Sequence, residues 1–262
     1  MTFRAIGVTL ALAAVGIGAA VVVRVVTGDS QPTPECVATA RGGSYSMDLE
    51  QAANAATIAA VGKRVGMPNH AVTVALAAVM QESKLRNLPY GDRDSLGLFQ
   101  QRPSQGWGTQ AEILDPVYAA TAFYKHLRLV RGWETMAVDV AAQRVQRSAG
   151  GYAYAQWEPR ARVMAQALTG EVVAGLTCTY NTPEPVSGTI GSAATRELGA
   201  GVLATALPSP RGWTVASWLV ANAYRYRLSY VSYGGKTWTK KTGEWRADAT
   251  ATTTVRIRQD AA

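Results

Sequence analysis

Glu82 is the residue to which chemistry attaches most readily in this chain. It closes an apolar run in which Val72, Ala75, Leu76, Val79 and Met80 recur at helical spacing. That spacing predicts a helix with one buried face, and Glu82 falls beside that face rather than opposite it. A carboxyl at the edge of an apolar face suits a general acid or base. A polar, glycine-punctuated loop follows, carrying Ser95, Gly97, Gln100 and Gln101. The same loop holds Asp92 and Asp94, the acidic pair near Glu82 in sequence. A second carboxylate would suit a hydrolysing glycosidase, as base or nucleophile beside the acid. Plainer accounts stand beside these: Glu82 as a solvated helix end, and the aspartates as caps of tight turns. Tyr90, Phe99 and Trp107 have flat faces that stack on sugar rings, although aromatics so spaced also build cores. His126 reads as a packed or surface residue of a helix.

Other chemistries lack their residues. The 262 residues include two cysteines, Cys36 and Cys178, and two isolated histidines, His70 and His126. Without a Cys-x-x-Cys pair, a structural zinc or redox site is not expected, and no metal or cofactor is assigned. Neither a phosphate-cradling Gly-rich loop nor a serine nucleophile elbow occurs. The formal charge of +8 points to anionic surroundings such as nucleic acid, a membrane surface or an anionic polymer. At 48% hydrophobic and 17% charged residues, most of the chain should fold, as one full core plus a smaller second unit.

The elements that must position Glu82 follow from the chain order. Residues 5–23 are uncharged and apolar between Arg4 and Arg24, and with Val25 and Val26 they suffice to cross a bilayer. No clear small-x-small cleavage site follows. Residues 1–26 therefore read as a transmembrane anchor, with a cleaved signal segment as the alternative. Residues 27–35 form a polar linker. A domain over 36–180 is bracketed by Cys36 and Cys178, and behind an export segment that suggests a disulfide in an oxidising compartment. Between the cysteines the pattern reads as almost all helical. Helices are predicted over 48–65 with Ser46 as cap, up to Glu82 with Asn69 as cap, from Pro116 behind Asp115, from Thr135, and over 155–168 closed by Gly170. Residues 181–196 are rich in Pro, Gly, Ser and Thr and read as an interdomain linker. In 197–262, helical spacing over 212–227 precedes the alternating LSYVSY, a Gly234-Gly235 hairpin signal and further strands, a small α+β domain.

Glu82-Ser83 ends the apolar helix, Ser95-Leu96-Gly97-Leu98-Phe99-Gln100 follows, and DPVYAATAFYKHL comes after that. On these residues the segment 44–168 resembles the lytic transglycosylase catalytic domain of the lysozyme-like superfamily. The hexapeptide looks like that family's Ser-x-Gly-Leu-x-Gln loop. The resemblance implies a mainly α, lysozyme-like domain with Glu82 as acid/base, and a glycan cleft lined by Ser83, Ser95, Leu98, Gln100 and Gln101. It also exposes a departure. The family's Ala-Tyr-Asn-Ala-Gly motif, whose Tyr contacts the catalytic Glu, has no match. The corresponding stretch is Ala142-Gln143-Arg144-Val145-Gln146-Arg147-Ser148, with Gly150-Gly151-Tyr152 beyond it. The missing contact would pass to Gln143 or Gln146, or to Tyr152 or Tyr154 in the next turn.

The activity implied is an extracytoplasmic peptidoglycan lytic transglycosylase. It would cleave the β-1,4 bond between N-acetylmuramic acid and N-acetylglucosamine and leave 1,6-anhydro ends, and it looks most like membrane-anchored or secreted proteins of high-GC Gram-positive bacteria. Two alternatives are a hydrolytic muramidase using Asp92 or Asp94, and an inactive peptidoglycan-binding scaffold of an envelope or conjugation assembly. The expected partners are glycan strands, and the membrane through the N-terminal helix. Residues 212–245 resemble, less specifically, a small module of wall-associated proteins. Its YRYRLSYVSYGGKTWTKK interleaves aromatics with Lys and Arg, a pattern also seen in single-strand nucleic-acid binders. Outside a membrane, a wall polymer or an envelope protein is the expected partner of that module, and nucleic acid is not.

Overall fold

A computed structural model describes residues 33–147, 153–181 and 188–260. The anchor expected over 1–26, the linker before Thr33, and Tyr152 lie outside the described residues. The described fold is mainly helical with two small antiparallel sheets. No helix among the described residues is long and apolar enough to cross a membrane.

The first sheet corrects the all-helical reading between the cysteines. Strands β1 (Glu35–Ala40) and β2 (Gly43–Met47) form a hairpin, and β3 (Leu176–Thr179) pairs along the other edge of β1. Cys36 lies opposite Cys178 in this register with their Cα atoms 4.0 Å apart, and the two form a disulfide.

Two apolar helices build the centre. Helix α1 (Leu49–Arg64) begins with a capping box in which Asp48 accepts from the Gln51 N–H and the Gln51 side chain accepts from the Asp48 N–H. The cap is thus Asp48, and Ser46 belongs to β2. Helix α2 (Asn69–Glu82) follows Pro68, and Asn69 is its first residue rather than its cap. Every residue over 52–62 of α1 and 71–80 of α2 is buried. Alanine supplies about half of those positions, so neighbouring helices approach closely. Helix α3 (Gln110–Ile113) is one turn, and α4 (Pro116–Arg128) opens under Asp115, which accepts from the N–H of Val117 at 2.8 Å. Helices α5 (Val138–Gln146) and α6 (Glu158–Leu168) pack against α2, and α4 packs against α1.

The C-terminal elements continue the same core. Helix α7 (Ile190–Leu198) occupies part of the stretch expected to be a linker. Thr189 and Ser192 cap it reciprocally, and its Ile190, Ala194 and Leu198 are buried. Helices α8 (Ser209–Ala221) and α9 (Ala223–Tyr226) lead into a four-stranded sheet of order β6-β5-β4-β7. Its strands are β4 (Leu228–Tyr233), β5 (Lys236–Thr239), β6 (Trp245–Ala247) and β7 (Arg256–Gln259).

Residues Pro34–Ala262 cluster as one compact unit. Helix α8 packs on α1 as well as on β4. The Trp245 indole N–H donates to the Leu176 carbonyl at 2.8 Å, and the Tyr180 hydroxyl donates to that of Leu228 at 2.7 Å. Where α6 ends, Gly170 has φ +74, and a Cβ there would lie 2.0 Å from the Pro210 carbonyl oxygen. The entry to α8 therefore rests directly on the end of α6.

The disulfide closes a loop with a sequence separation of 142. Restricting the unfolded chain over such a loop is worth up to about 5 kcal/mol in the chain-entropy account. Replacing both cysteines by serine should lower the guanidinium midpoint accordingly and leave the native circular dichroism unchanged. The unreduced native protein should take up no alkylating label, as read by intact mass.

Candidate active site

Helix α2 ends at Glu82 because the chain breaks sharply there. Lys84 and Leu85 both adopt left-handed backbone, with φ of 55 and 64. For residues bearing a Cβ this conformation costs about 1–2 kcal/mol each. The first turns of α1 offset that cost. Gln51 Nε2 donates to the Lys84 carbonyl at 2.9 Å, and the buried Asn54 Nδ2 donates to that of Leu85 at 2.8 Å. Arg86 then pairs with Asp48 and, at 2.5 Å, with Glu50. Gln51 and Asn54 escaped the sequence reading, being isolated polar residues in an Ala-rich helix.

Glu82 is half-buried at the end of α2. The fully buried Tyr154 donates its hydroxyl to Glu82 Oε1 at 2.6 Å. Glu82 Oε2 makes no hydrogen bond among the described residues. Of the four residues proposed for this contact, Tyr154 makes it. Gln146 Nε2 instead donates to the Phe99 carbonyl at 2.7 Å, tying α5 to the loop. Gln143 lies half-buried one turn earlier on α5, and Tyr152 lies outside the described residues.

The other candidate residues divide by burial. Ser83, Leu98 and Gln101 are buried and brace the loop. Ser83 Oγ donates to the Leu98 carbonyl at 2.8 Å, and Gln101 Nε2 to that of Ala119 on α4 at 3.1 Å. Leu98 itself is fully buried, so its side chain faces the core. Ser95 is nearly buried at 8% exposure. Gln100 is the more open member, with φ 48 and its Nε2 donating to the carbonyls of Tyr90 and Gly97 at 3.3 and 3.2 Å. Gly97 is required by geometry: φ is +75, and a Cβ would sit 2.6 Å from the Ile113 carbonyl oxygen.

No protein-family model matches this chain, and no curated protein matches it.

Of the two loop aspartates, Asp94 has a structural role and Asp92 stands at the surface. Asp94 accepts from Arg102 Nε at 2.6 Å through one oxygen and from the Ser104 N–H at 2.8 Å through the other. Asp92 is 92% exposed and faces Arg93 at 3.8 Å. Beside Glu82, Gln81 Oε1 accepts from the Trp157 indole at 2.7 Å, and Lys84 Nζ lies 4.3 Å from the centre of the Trp157 ring. Burial pushes the Lys84 ammonium below its ordinary pKa, against the opposing pull of the Glu82 charge. Among the aromatics, Phe99 is buried and stacks on Phe123, Trp107 packs on His126 with centroids 4.0 Å apart, and Tyr90 is exposed. No cluster of His, Cys, Asp and Glu among the described residues could hold a metal.

Hydrogen bonds from Ser104, then from the Arg102 guanidinium, hold the Asp94 carboxyl well below the usual range. A depressed folded-state pKa contributes stability above the unfolded value, about 3.9 for aspartate, and loses it as pH falls through the folded value. The Ser104 amide resonance should therefore stay fixed from neutral pH down to about 4 and move only below that. Asp94→Asn should abolish this acid transition. A shift between pH 7 and about 5 would contradict the assignment.

Proposed function

We propose that this chain is an extracytoplasmic peptidoglycan lytic transglycosylase with Glu82 as its single acid/base. The carrying observation is the 2.6 Å hydrogen bond from the Tyr154 hydroxyl to Glu82 Oε1. The phenol O–H holds the carboxyl through Oε1 alone and carries no charge of its own. Oε2 is left to exchange a proton with a substrate. Protonated, it gives that proton to the oxygen linking N-acetylmuramic acid to N-acetylglucosamine as the bond to C1 breaks. The resulting carboxylate takes the proton of the muramic 6-hydroxyl as that oxygen bonds to C1. The products are a 1,6-anhydro end and a free 4-hydroxyl, and no water is consumed. A nucleophile within the substrate gains the advantage of an intramolecular step.

Both oxygens of Asp94 are taken by Arg102 and Ser104, which disfavours hydrolysis through Asp94, since a water-activating base needs a free carboxylate near the reacting carbon. The Cys36–Cys178 disulfide and the apolar N-terminal stretch favour a site outside the membrane. We assign an anionic wall polymer to the C-terminal sheet. Directly opposed residues share a face of a sheet, so Tyr230 with Arg258, Ser232 with Arg256, and Thr237 with Arg246 give one basic face.

Digestion of purified peptidoglycan followed by mass spectrometry tests the proposal. Muropeptides with anhydro ends, each lighter by one water than a reducing end, are the expected products. Glu82→Gln should keep the fold and lose at least 10²–10⁴ in rate, the share of a general acid. Tyr154→Phe should lower kcat about tenfold to a hundredfold with KM nearly unchanged, matching one hydrogen bond to a charged group. Reducing ends, with activity lost in Asp94→Asn, would establish hydrolysis instead. Binding to walls without release of muropeptides would establish the scaffold reading.

A further inference from the structure

A cavity of ≈ 370 Å³ lies away from Glu82, between α1, the start of α4, α7 and the α9 turn. Its wall includes Thr57, Glu197, Arg196, Arg225 and Tyr226. Glu197 Oε2 accepts from Thr57 Oγ1 and from the Trp218 indole N–H, each at 2.7 Å. Thr57 and Trp218 are themselves buried, so the carboxyl is held by rigid donors. Oε1 makes no hydrogen bond among the described residues.

The two arginines act on Glu197 only through space, without an ion pair. Arg196 is committed to Asp115 at 2.7 and 3.2 Å. Arg225 uses Nε on the Tyr224 hydroxyl at 2.8 Å and Nη1 on Asn222 at 3.5 Å, and Nη2 makes no hydrogen bond among the described residues. Nor does the Tyr226 hydroxyl. Glu197 forms no ion pair among the described residues. The cavity wall thus presents an open carboxylate oxygen and an open guanidinium nitrogen of opposite charge. A carboxylate drawn out of water onto neutral donors is costly, and a cationic ligand group would offset that cost.

We propose that this cavity binds a small zwitterion, an α-amino acid, with its ammonium on Glu197 Oε1 and its carboxylate on Arg225 Nη2 and the Tyr226 hydroxyl. The volume falls within the range of small-molecule sites, about 300–1,000 Å³. Burial pushes the Glu197 carboxyl above its ordinary range, and a bound ammonium would draw it back to the ionised form. None of this depends on the chemistry assigned to Glu82.

The indole N–H of Trp218, bonded to Glu197, is the reporter. Titrating the full chain with L-alanine should move the Trp218 indole cross-peak with a Kd on the order of 1 mM. N-acetylalanine, which lacks the ammonium, and alaninamide, which lacks the carboxylate, should each bind at least tenfold more weakly. Glu197→Gln should weaken alanine binding at least tenfold. Should that variant misfold, Arg225→Gln, at a partly exposed side chain, should weaken alanine and leave alaninamide unchanged. A Trp218 resonance unmoved by alanine, or one moved equally by N-acetylalanine, would overturn the proposal.

Discussion

Two consecutive non-glycine residues in left-handed backbone, Lys84 and Leu85, decide where the carboxyl of Glu82 can be. Had α2 run on, Glu82 would sit in mid-helix, screened by the following turn. The break stops the helix at the acid and turns the chain back toward α1. Such a conformation persists only when its surroundings hold it. Here Gln51 and Asn54 satisfy the carbonyls of Lys84 and Leu85, and the acids of the same helix start hold Arg86. A buried carbonyl left without its donor would cost about 1–3 kcal/mol, comparable to the strain itself. The capping box that starts α1 and the turn that ends α2 are thus one hydrogen-bonded unit, sharing Gln51.

That unit sets one side of the site, and the loop sets the other. Ser83, next to the acid, donates into the loop at Leu98, and α5 reaches the same loop through Gln146 and Phe99. Residues that resemble a substrate-binding signature therefore do much of their work as struts. Gln101 spends its amide on α4, and Asp94 spends both oxygens on Arg102 and Ser104. The second oxygen of Glu82 makes no hydrogen bond among the described residues, and the Tyr154 phenol fixes the carboxyl through the first. A cation in the place of Tyr154 would stabilise the carboxylate and oppose a general acid. An amide in the place of the phenol would change the hydrogen-bonding geometry at Oε1.

The helix leading to Glu82 was legible because its apolar spacing is local and long. Asp115-Pro116 and Gly170 marked helix ends for the same reason, since caps depend on adjacent residues. The strand β3 was not legible, because LTCT is short and its partner lies far away in sequence. Only Cys178 hinted at it. Helix α7 was hidden by composition: Gly, Ser and Thr around it imitate a linker, although Thr189, Ser192 and the i, i+4, i+8 series Ile190, Ala194, Leu198 carried the signal. Tyr154 was named as one of four candidates. Spacing alone could not choose among them, since the side chain comes from the residue that precedes a short 3-10 turn, beyond the end of α5.

The same non-local pairing explains why the C-terminal part belongs to the site's foundation. Strand β3 offers backbone carbonyls away from its pairing with β1, and the indoles of Trp245 and Trp238 donate to two of them, at Leu176 and Cys178. Those tryptophans stand on β6 and β5, beyond the stretch that composition marks as a boundary. Ser217 of α8 donates to the Ala167 carbonyl at the end of α6, and Gly170 admits the Pro210 carbonyl there. Helix α6 is a principal neighbour of α2. Hydrogen bonds and packing therefore connect the C-terminal sheet with β3, and α8 with α6, the neighbour of the helix that carries Glu82. A boundary drawn at the proline- and glycine-rich stretch would cut these buried hydrogen bonds and expose two indoles. Linker-like composition is thus compatible with a shared core, because composition says nothing about how tightly the flanking segments pack.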